Sequence, residues 1–257
     1  MKSMCRAVFL SFGMALLAAL PGAAQPDAQV PWERIDEGLA RLAAGDGKGA
    51  AAAFVKAKSA DGTGLAELLL VLNDAYVVYT VGPRDWDRTL QVHQRLDIAS
   101  QTYHQHPVPP AVLAEALTRI RALLKEKPGD SSSPLLRPLL CHLRLLSQDD
   151  ATDGEAVLEI TGKSRDVGSL QFQRPLFQPL PPIPEAAREA KIKDSVMVEL
   201  TLDSEGCPAS ETMLKPLPQG LAEQTLATLK WWAYEPARYN GTPVGFKFNV
   251  AVKFVIF

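Results

Sequence analysis

Apolar and polar residues follow two different periods along this chain. From Pro31 to about Gln148 the apolar positions recur at spacings of three and four, the mark of amphipathic helices. Trp32, Ile35, Leu39 and Leu42 outline a first helix, broken by Ala43-Ala44-Gly45-Asp46-Gly47; Ala50 to Ala53, Phe54 and Ala57 outline a second. Further helices are predicted over Leu65–Val81, Asp85–His104, Pro110–Lys127 and Ser133–Leu146. Pro83, Pro107-Val108-Pro109-Pro110 and Pro128-Gly129-Asp130 punctuate them. Each carries an apolar stripe, such as Leu113, Leu117, Ile120 and Leu124, which needs a neighbouring helix to cover it.

After Gln148 the character changes. Asp149 to Glu155 reads as a polar turn, Ala156 to Ile160 as a short strand, and Gly162 to Gly168 as a loop. Pro175, Pro179, Pro181, Pro182 and Pro184 then hold the chain extended. Ser195 to Leu202 alternates, with Val196, Val198, Leu200 and Leu202 on one face and Met197, Glu199 and Thr201 on the other, and Asp203-Ser204-Glu205-Gly206 turns the chain. A short strand is expected around Glu211 to Leu214. A helix follows over Leu221 to Trp232, with Leu221, Thr225, Leu229 and Trp232 along one face. Asn240-Gly241 marks another turn. Gly245 to Phe257 forms a long strand with Phe246, Phe248, Val250, Val252, Phe254 and Ile256 on one side. Strand, strand, helix, strand with one apolar sheet face predicts an α+β two-layer sandwich.

Five short stretches in this segment occur in an order of their own: Pro184-Glu185-Ala186-Ala187-Arg188, Val196 to Leu202, Asp203-Ser204-Glu205-Gly206, Trp232-Ala233-Tyr234-Glu235-Pro236-Ala237 and Asn240-Gly241-Thr242-Pro243-Val244. Together they resemble the carboxy-terminal domain of TonB-family proteins over Val167 to Phe257, about a third of the chain. The resemblance implies a small two-layer sandwich with a three-stranded antiparallel sheet. In it Pro184, Ala187, Arg188, Asp203, Gly206, Trp232, Tyr234, Pro236, Asn240, Gly241 and Pro243 serve as scaffold. Trp232 and Tyr234 are expected to close a helix onto the sheet, Pro236 to stop that helix, and Gly206 and Gly241 to permit positive φ in tight turns. The sequence departs from the family pattern at Asp194, where glycine is common, at Ile183, where tyrosine is common, and at Pro216 and Pro218.

Upstream, Ile35…Gly38-Leu39…Leu42…Gly45-Asp46…Ala50…Phe54…Ala57 resembles one tetratricopeptide hairpin, where small residues let paired helices approach. The predicted fold is therefore an all-helical, tetratricopeptide-like domain followed by the α+β domain.

Composition narrows the function classes. Hydrophobic residues make up 47% and charged residues 22% of 257, a globular balance, and the net charge of -2 offers no basic field for nucleic acid. Lys2 and Arg6 precede the apolar run Ala7 to Leu20 and the small residues Gly22 and Ala24, which reads as a signal peptide. The run is shorter than the roughly 18 to 20 residues of a spanning helix. The expected organisation is signal peptide 1–24, helical domain 25–148, linker 149–166 and TonB-type domain 167–257, placing the chain in the periplasm. A retained, inner-membrane anchor facing the periplasm is the alternative. In an oxidising compartment the remaining cysteines, Cys141 and Cys207, admit a bridge or, more plainly, a buried helical thiol and a loop thiol.

Candidate chemistry is sparse. His104-x-His106 lacks a third metal ligand, and Asp149-x-Ala151-x-Asp153-Gly154 fails as a calcium loop because Ala151 and Ile160 stand where ligands are needed. His93 and His142 fall on helices as surface or partly buried residues, and Trp231 is expected half-exposed beside the sheet. No phosphate loop, nucleophile elbow or zinc-protease motif occurs. Catalytic residues, cofactor and metal are thus predicted as none.

The expectation is a binding module, not an enzyme: an adaptor for a protein or peptide of the envelope, an outer-membrane receptor being one such partner. By resemblance it would bind by strand addition at the last strand, with Phe248, Val250, Val252, Lys253 and Phe254 at the edge and Lys253 or Phe257 adding selectivity. The bland reading makes this face core and lets the edge self-pair in a homodimer. A true energy transducer resembles a histidine-bearing anchor with a long spacer; no histidine precedes His93, and the proline-rich run reaches at most about 30 Å. An anchored transducer and a purely structural envelope protein remain the alternatives.

Overall fold

Helix α1 (Trp32–Ala43) and helix α2 (Gly47–Lys58) form a tight hairpin. The Asp46 carboxylate caps α2 by accepting the Gly49 N–H at 2.8 Å. Gly38 faces the Phe54 ring, and a β-carbon there would overlap that ring, so the small residue sets how closely the helices approach. The structure, a computed structural model, describes residues 29–81, 86–125, 135–148, 157–159 and 169–256. The predicted signal peptide, the polar turn 149–155, the loop 162–168 and Phe257 lie outside those residues.

Helices α3 (Leu65–Thr80) and α4 (Trp86–Gln105) continue the array, with α1 packing on α2, α2 on α3 and α3 on α4. Helix α5 (Pro110–Lys125) leads to α6 (Leu136–Ser147), which lies against α1, α3 and α5. Repeat hairpins need neighbours to bury their apolar faces. Here α5 and α6 supply that cover in place of further repeats. Helix α6 is buried nearly all round, including Cys141, His142 and Arg144, so its polar side chains must find partners. His142, expected at or near the surface, is fully buried.

The remaining elements are β1 (Val157–Glu159), β2 (Leu170–Gln171), β3 (Arg174–Phe177), α7 (Glu185–Glu189), β4 (Lys193–Leu202), β5 (Pro208–Lys215), α8 (Leu221–Leu229), β6 (Ala233–Glu235), β7 (Ala237–Tyr239) and β8 (Thr242–Val255). The main sheet runs β2-β7-β8-β4-β5, with β1 added to β8, while β3 and β6 form a separate pair. The predicted three antiparallel strands, β5-β4-β8, form one side of it. The added strands β1, β2 and β7 hold two or three residues each, too few to display a period.

Helix α8 stops at Leu229, not at Trp232 as its spacing suggested. Trp232 follows in a turn, and its indole N–H donates to the Pro179 carbonyl at 3.0 Å, so it is buried without being helical. Pro236 accordingly does not end a helix; it separates β6 from β7, where a residue without an N–H costs no ladder bond.

Two cores result. One is built from Val196, Val198, Leu200, Leu202, Leu221, Leu229, Trp232 and Phe254. The other is the helical core, and it takes in Phe177, Cys207 and Ala233 from the sheet region. The two parts of the chain are packed against each other.

Candidate functional site

Strand β8 pairs with β4 from Phe246 to Val255 in unbroken antiparallel register. Residues 242–244 pair with β7, and 245–247 pair with β1 in parallel. Because Phe246 and Lys247 already face β4, β1 lies on the opposite edge of β8. Beyond Lys247, no described strand takes that edge from Phe248 to Val255. Its backbone groups are a ready template for another strand.

The five sequence-predicted edge residues divide by side-chain direction. Val252 and Phe254 point into the core and are buried, so they offer a partner only their backbone. Phe248 and Val250 are half-buried, and Lys253 is exposed on the outer face. Phe248 joins an aromatic row, with ring centroids 6.0 Å from Phe246 and 5.7 Å from Tyr234. At the far side of the sheet the edge of β5 is also unpaired among the described residues. Its ladder with β4 is interrupted twice, between Met197 and Val198 and between Thr201 and Leu202, and it begins at Pro208. Bulges and edge prolines are devices that discourage strand addition. The free stretch of β8 has neither.

What holds this sheet in place is the Asp203–Gly206 turn. The Asp203 Oδ1 accepts the backbone N–H groups of Glu205 and Cys207 at 2.8 and 2.9 Å, shaping the turn from within. Its Oδ2 accepts Arg144 Nη1 of α6 at 2.6 Å, in a pair whose side chains are 7% and 2% exposed. Arg144 also reaches Glu205 at 3.0 Å, Arg121 of α5 donates two bonds to the same carboxylate, and Arg137 donates to the Glu205 carbonyl. Burial alone would raise the Glu205 pKa, but the Arg121 hydrogen bond and the charges of Arg121, Arg144 and Arg137 outweigh it and hold the carboxyl below its usual range. Burial lowers the Arg137 pKa in turn. Next to this cluster Cys207 is bridged to Cys141, the bolder of the two readings of that pair, with the Cα atoms 5.2 Å apart. On the same helix His142 accepts the Tyr76 hydroxyl at Nδ1 and donates from Nε2 to the Trp231 carbonyl, at 2.8 and 2.7 Å. Burial holds His142 neutral, its pKa pushed down to about 4, and raises that of Tyr76.

Residues 179–256 match the family described as Gram-negative bacterial TonB protein C-terminal. The segment from α7 to β8 is a TonB-type carboxy-terminal domain. The comparisons with curated proteins and with solved structures found no match.

In the TonB domain, the motif residues fall into structural positions. Pro184 caps α7 and Ala187 is fully buried beneath it, while Arg188 is exposed and lies 3.9 Å from Glu185. Gly206 has φ +83, and a β-carbon there would overlap the Tyr234 carbonyl oxygen. Asn240 and Gly241, both at positive φ, make the β7–β8 hairpin turn, and Pro243 pairs with Arg238 beside it. Trp231 is half-buried as expected, but it packs against His142 of α6, with centroids 5.0 Å apart. His93 is half-buried and bonds the Leu180 carbonyl at 2.7 Å, and His104 bonds the Ser100 carbonyl one turn back.

Sequence reasoning missed Arg121, Arg137, Arg144 and the role of His142. A signal existed: α6 is rich in leucine, so the two arginines and the histidine among those leucines had to be answered from another element once the helix was buried.

Proposed function

We propose that the chain is a periplasmic adaptor and not an enzyme. Its TonB domain binds an extended segment of an envelope protein by strand addition to β8, and the docked helical domain holds that edge in position. The observation that carries this reading is the edge of Phe248 to Val255, unpaired among the described residues: regular in register, without bulge or proline, and beginning where β1 already adds to β8 in parallel. Main-chain N–H and C=O groups there supply affinity, and side chains on alternate positions supply discrimination. An outer-membrane receptor is a partner in keeping with a TonB-type domain.

A titration of the full chain with receptor-derived peptides, followed by backbone amide shifts, tests it. Perturbation concentrated on 248–255 is expected; an unperturbed β8 at millimolar peptide removes the mechanism. Export with cleavage after Ala24 belongs to the same reading. Among the described residues no helix is long and apolar enough to cross a membrane. Mapping the mature amino terminus decides between this adaptor and an anchored energy transducer, since a chain beginning at Gln25 has no segment through which a membrane motor could act.

A further inference from the structure

The stretch of β8 left unpaired among the described residues presents two unlike rows of side chains. Phe248, Val250, Val252 and Phe254 face inward, and Asn249, Ala251, Lys253 and Val255 are exposed on the outer face, in line with Lys247. That outer row contains two lysines and no acid. Lys247 lies 3.7 Å from Glu199 on β4. Lys253 stands beside Ser195 in the ladder, and among the described residues it forms no ion pair.

The chain supplies one precedent for what such a row accepts. In β1, Leu158 stands in register with Phe246 and Glu159 with Lys247. An apolar residue thus lies opposite an inward position and an acid opposite an outward lysine. Carried along the strand by its period of two, the same rule sets apolar residues opposite Phe248, Val250, Val252 and Phe254, and an acid opposite Lys253. A second copy of the chain is a poor occupant. Two β8 edges paired with each other would bring together outer rows that each carry Lys247 and Lys253, and like charges across a ladder destabilise it.

We propose that the β8 edge selects an extended partner segment alternating apolar with acidic residues, and that Lys253 is the residue that reads the acid. This rests on the strand-addition reading and names the chemistry of its partner. Short peptides alternating valine with glutamate, glutamine or lysine make the choice independent of slippage by two residues. Their binding to the full chain is measured at low and high salt, alongside the Lys253→Gln and Lys253→Glu variants. The glutamate peptide should bind tighter than the glutamine peptide by about two- to fivefold, the range of a cross-strand ion pair. The margin should shrink at high salt, vanish in Lys253→Gln, and turn in favour of the lysine peptide in Lys253→Glu.

Equal binding of all three peptides, or a glutamate preference that survives both substitutions, overturns the selectivity and leaves strand addition standing. Failure of every peptide to bind overturns both. Sedimentation of the chain alone adds the remaining outcome: a dimer dissociated by the glutamate peptide assigns the edge to self-pairing and overturns the proposal. Lys253 is exposed, so both variants should keep the wild-type unfolding midpoint, which is checked first.

Discussion

Replacing Arg144 with methionine tests whether the TonB domain is fixed to the helical domain through its Asp203–Gly206 turn. Methionine fills much of the same volume, so the change removes charge and hydrogen bonds more than packing. The Asp203 carboxylate, 2% exposed, would keep its two backbone N–H donors but lose the guanidinium 2.6 Å away, and Glu205 would lose a contact at 3.0 Å. Removing one partner of a buried pair costs about 3 to 5 kcal/mol, because the other charge stays buried and uncompensated. Asp203→Asn preserves the acceptor for the turn and abolishes that charge. The double variant Arg144→Met with Asp203→Asn should therefore lose less stability than the two single changes added together, by about 1 to 3 kcal/mol. Urea unfolding with the disulfide intact in every variant, followed through Trp231 and Trp232 fluorescence, measures each corner of the cycle. A loss in Arg144→Met below about 1 kcal/mol, the size of an exposed pair, would refute the buried clamp.

Other consequences of the same interface are open to measurement. Cys141→Ser with Cys207→Ser opens a loop of 66 residues, and loop entropy puts the loss near 4 kcal/mol in urea unfolding. For His142 the folded pKa of about 4 lies below the ordinary 6.5, so the unfolded chain binds more protons between those values. The resulting stability is present above pH 6.5 and lost as pH falls toward 4, by about 2 kcal/mol between pH 7 and 5; a His142→Gln variant should flatten that slope in denaturation midpoints. Gly206 and Gly241 share positive φ, but only Gly206 has a carbonyl where a β-carbon would go. Gly206→Ala should cost more than Gly241→Ala, the latter near 1 kcal/mol, in parallel unfolding experiments.

The long elements were legible because each spans several periods of its own pattern. Val196, Val198, Leu200 and Leu202 alternate over a whole strand and are all buried. Asn240-Gly241 and Asp203 with Gly206 mark turns because few other residues take those conformations or accept those bonds. Helix α8 was overextended because the step from Leu229 to Trp232 fits one more helical turn equally well as a tight turn, and only the Pro179 carbonyl, far along the chain, decides where the indole lies. Strands β6 and β7 escaped notice because three residues cannot establish alternation. The joining of Cys141 to Cys207, and of Arg144 to Asp203, is a property of how α6 meets a turn some sixty residues away. No local pattern encodes that meeting. The candidate edge shows both sides of this lesson: its alternation was readable, but that Val252 and Phe254 belong to the core while Lys253 stays in solvent follows from which face α8 covers.

The account turns on the outer edge of β8. Amide hydrogen exchange of the full chain, measured residue by residue with and without the valine–glutamate peptide, reads that edge directly. Outward-facing amides between Phe248 and Val255 should exchange quickly in the free protein and become protected on binding, while the β5 edge stays unchanged. Protection that appears on β5 or on the helical domain, with β8 unaltered, would contradict it.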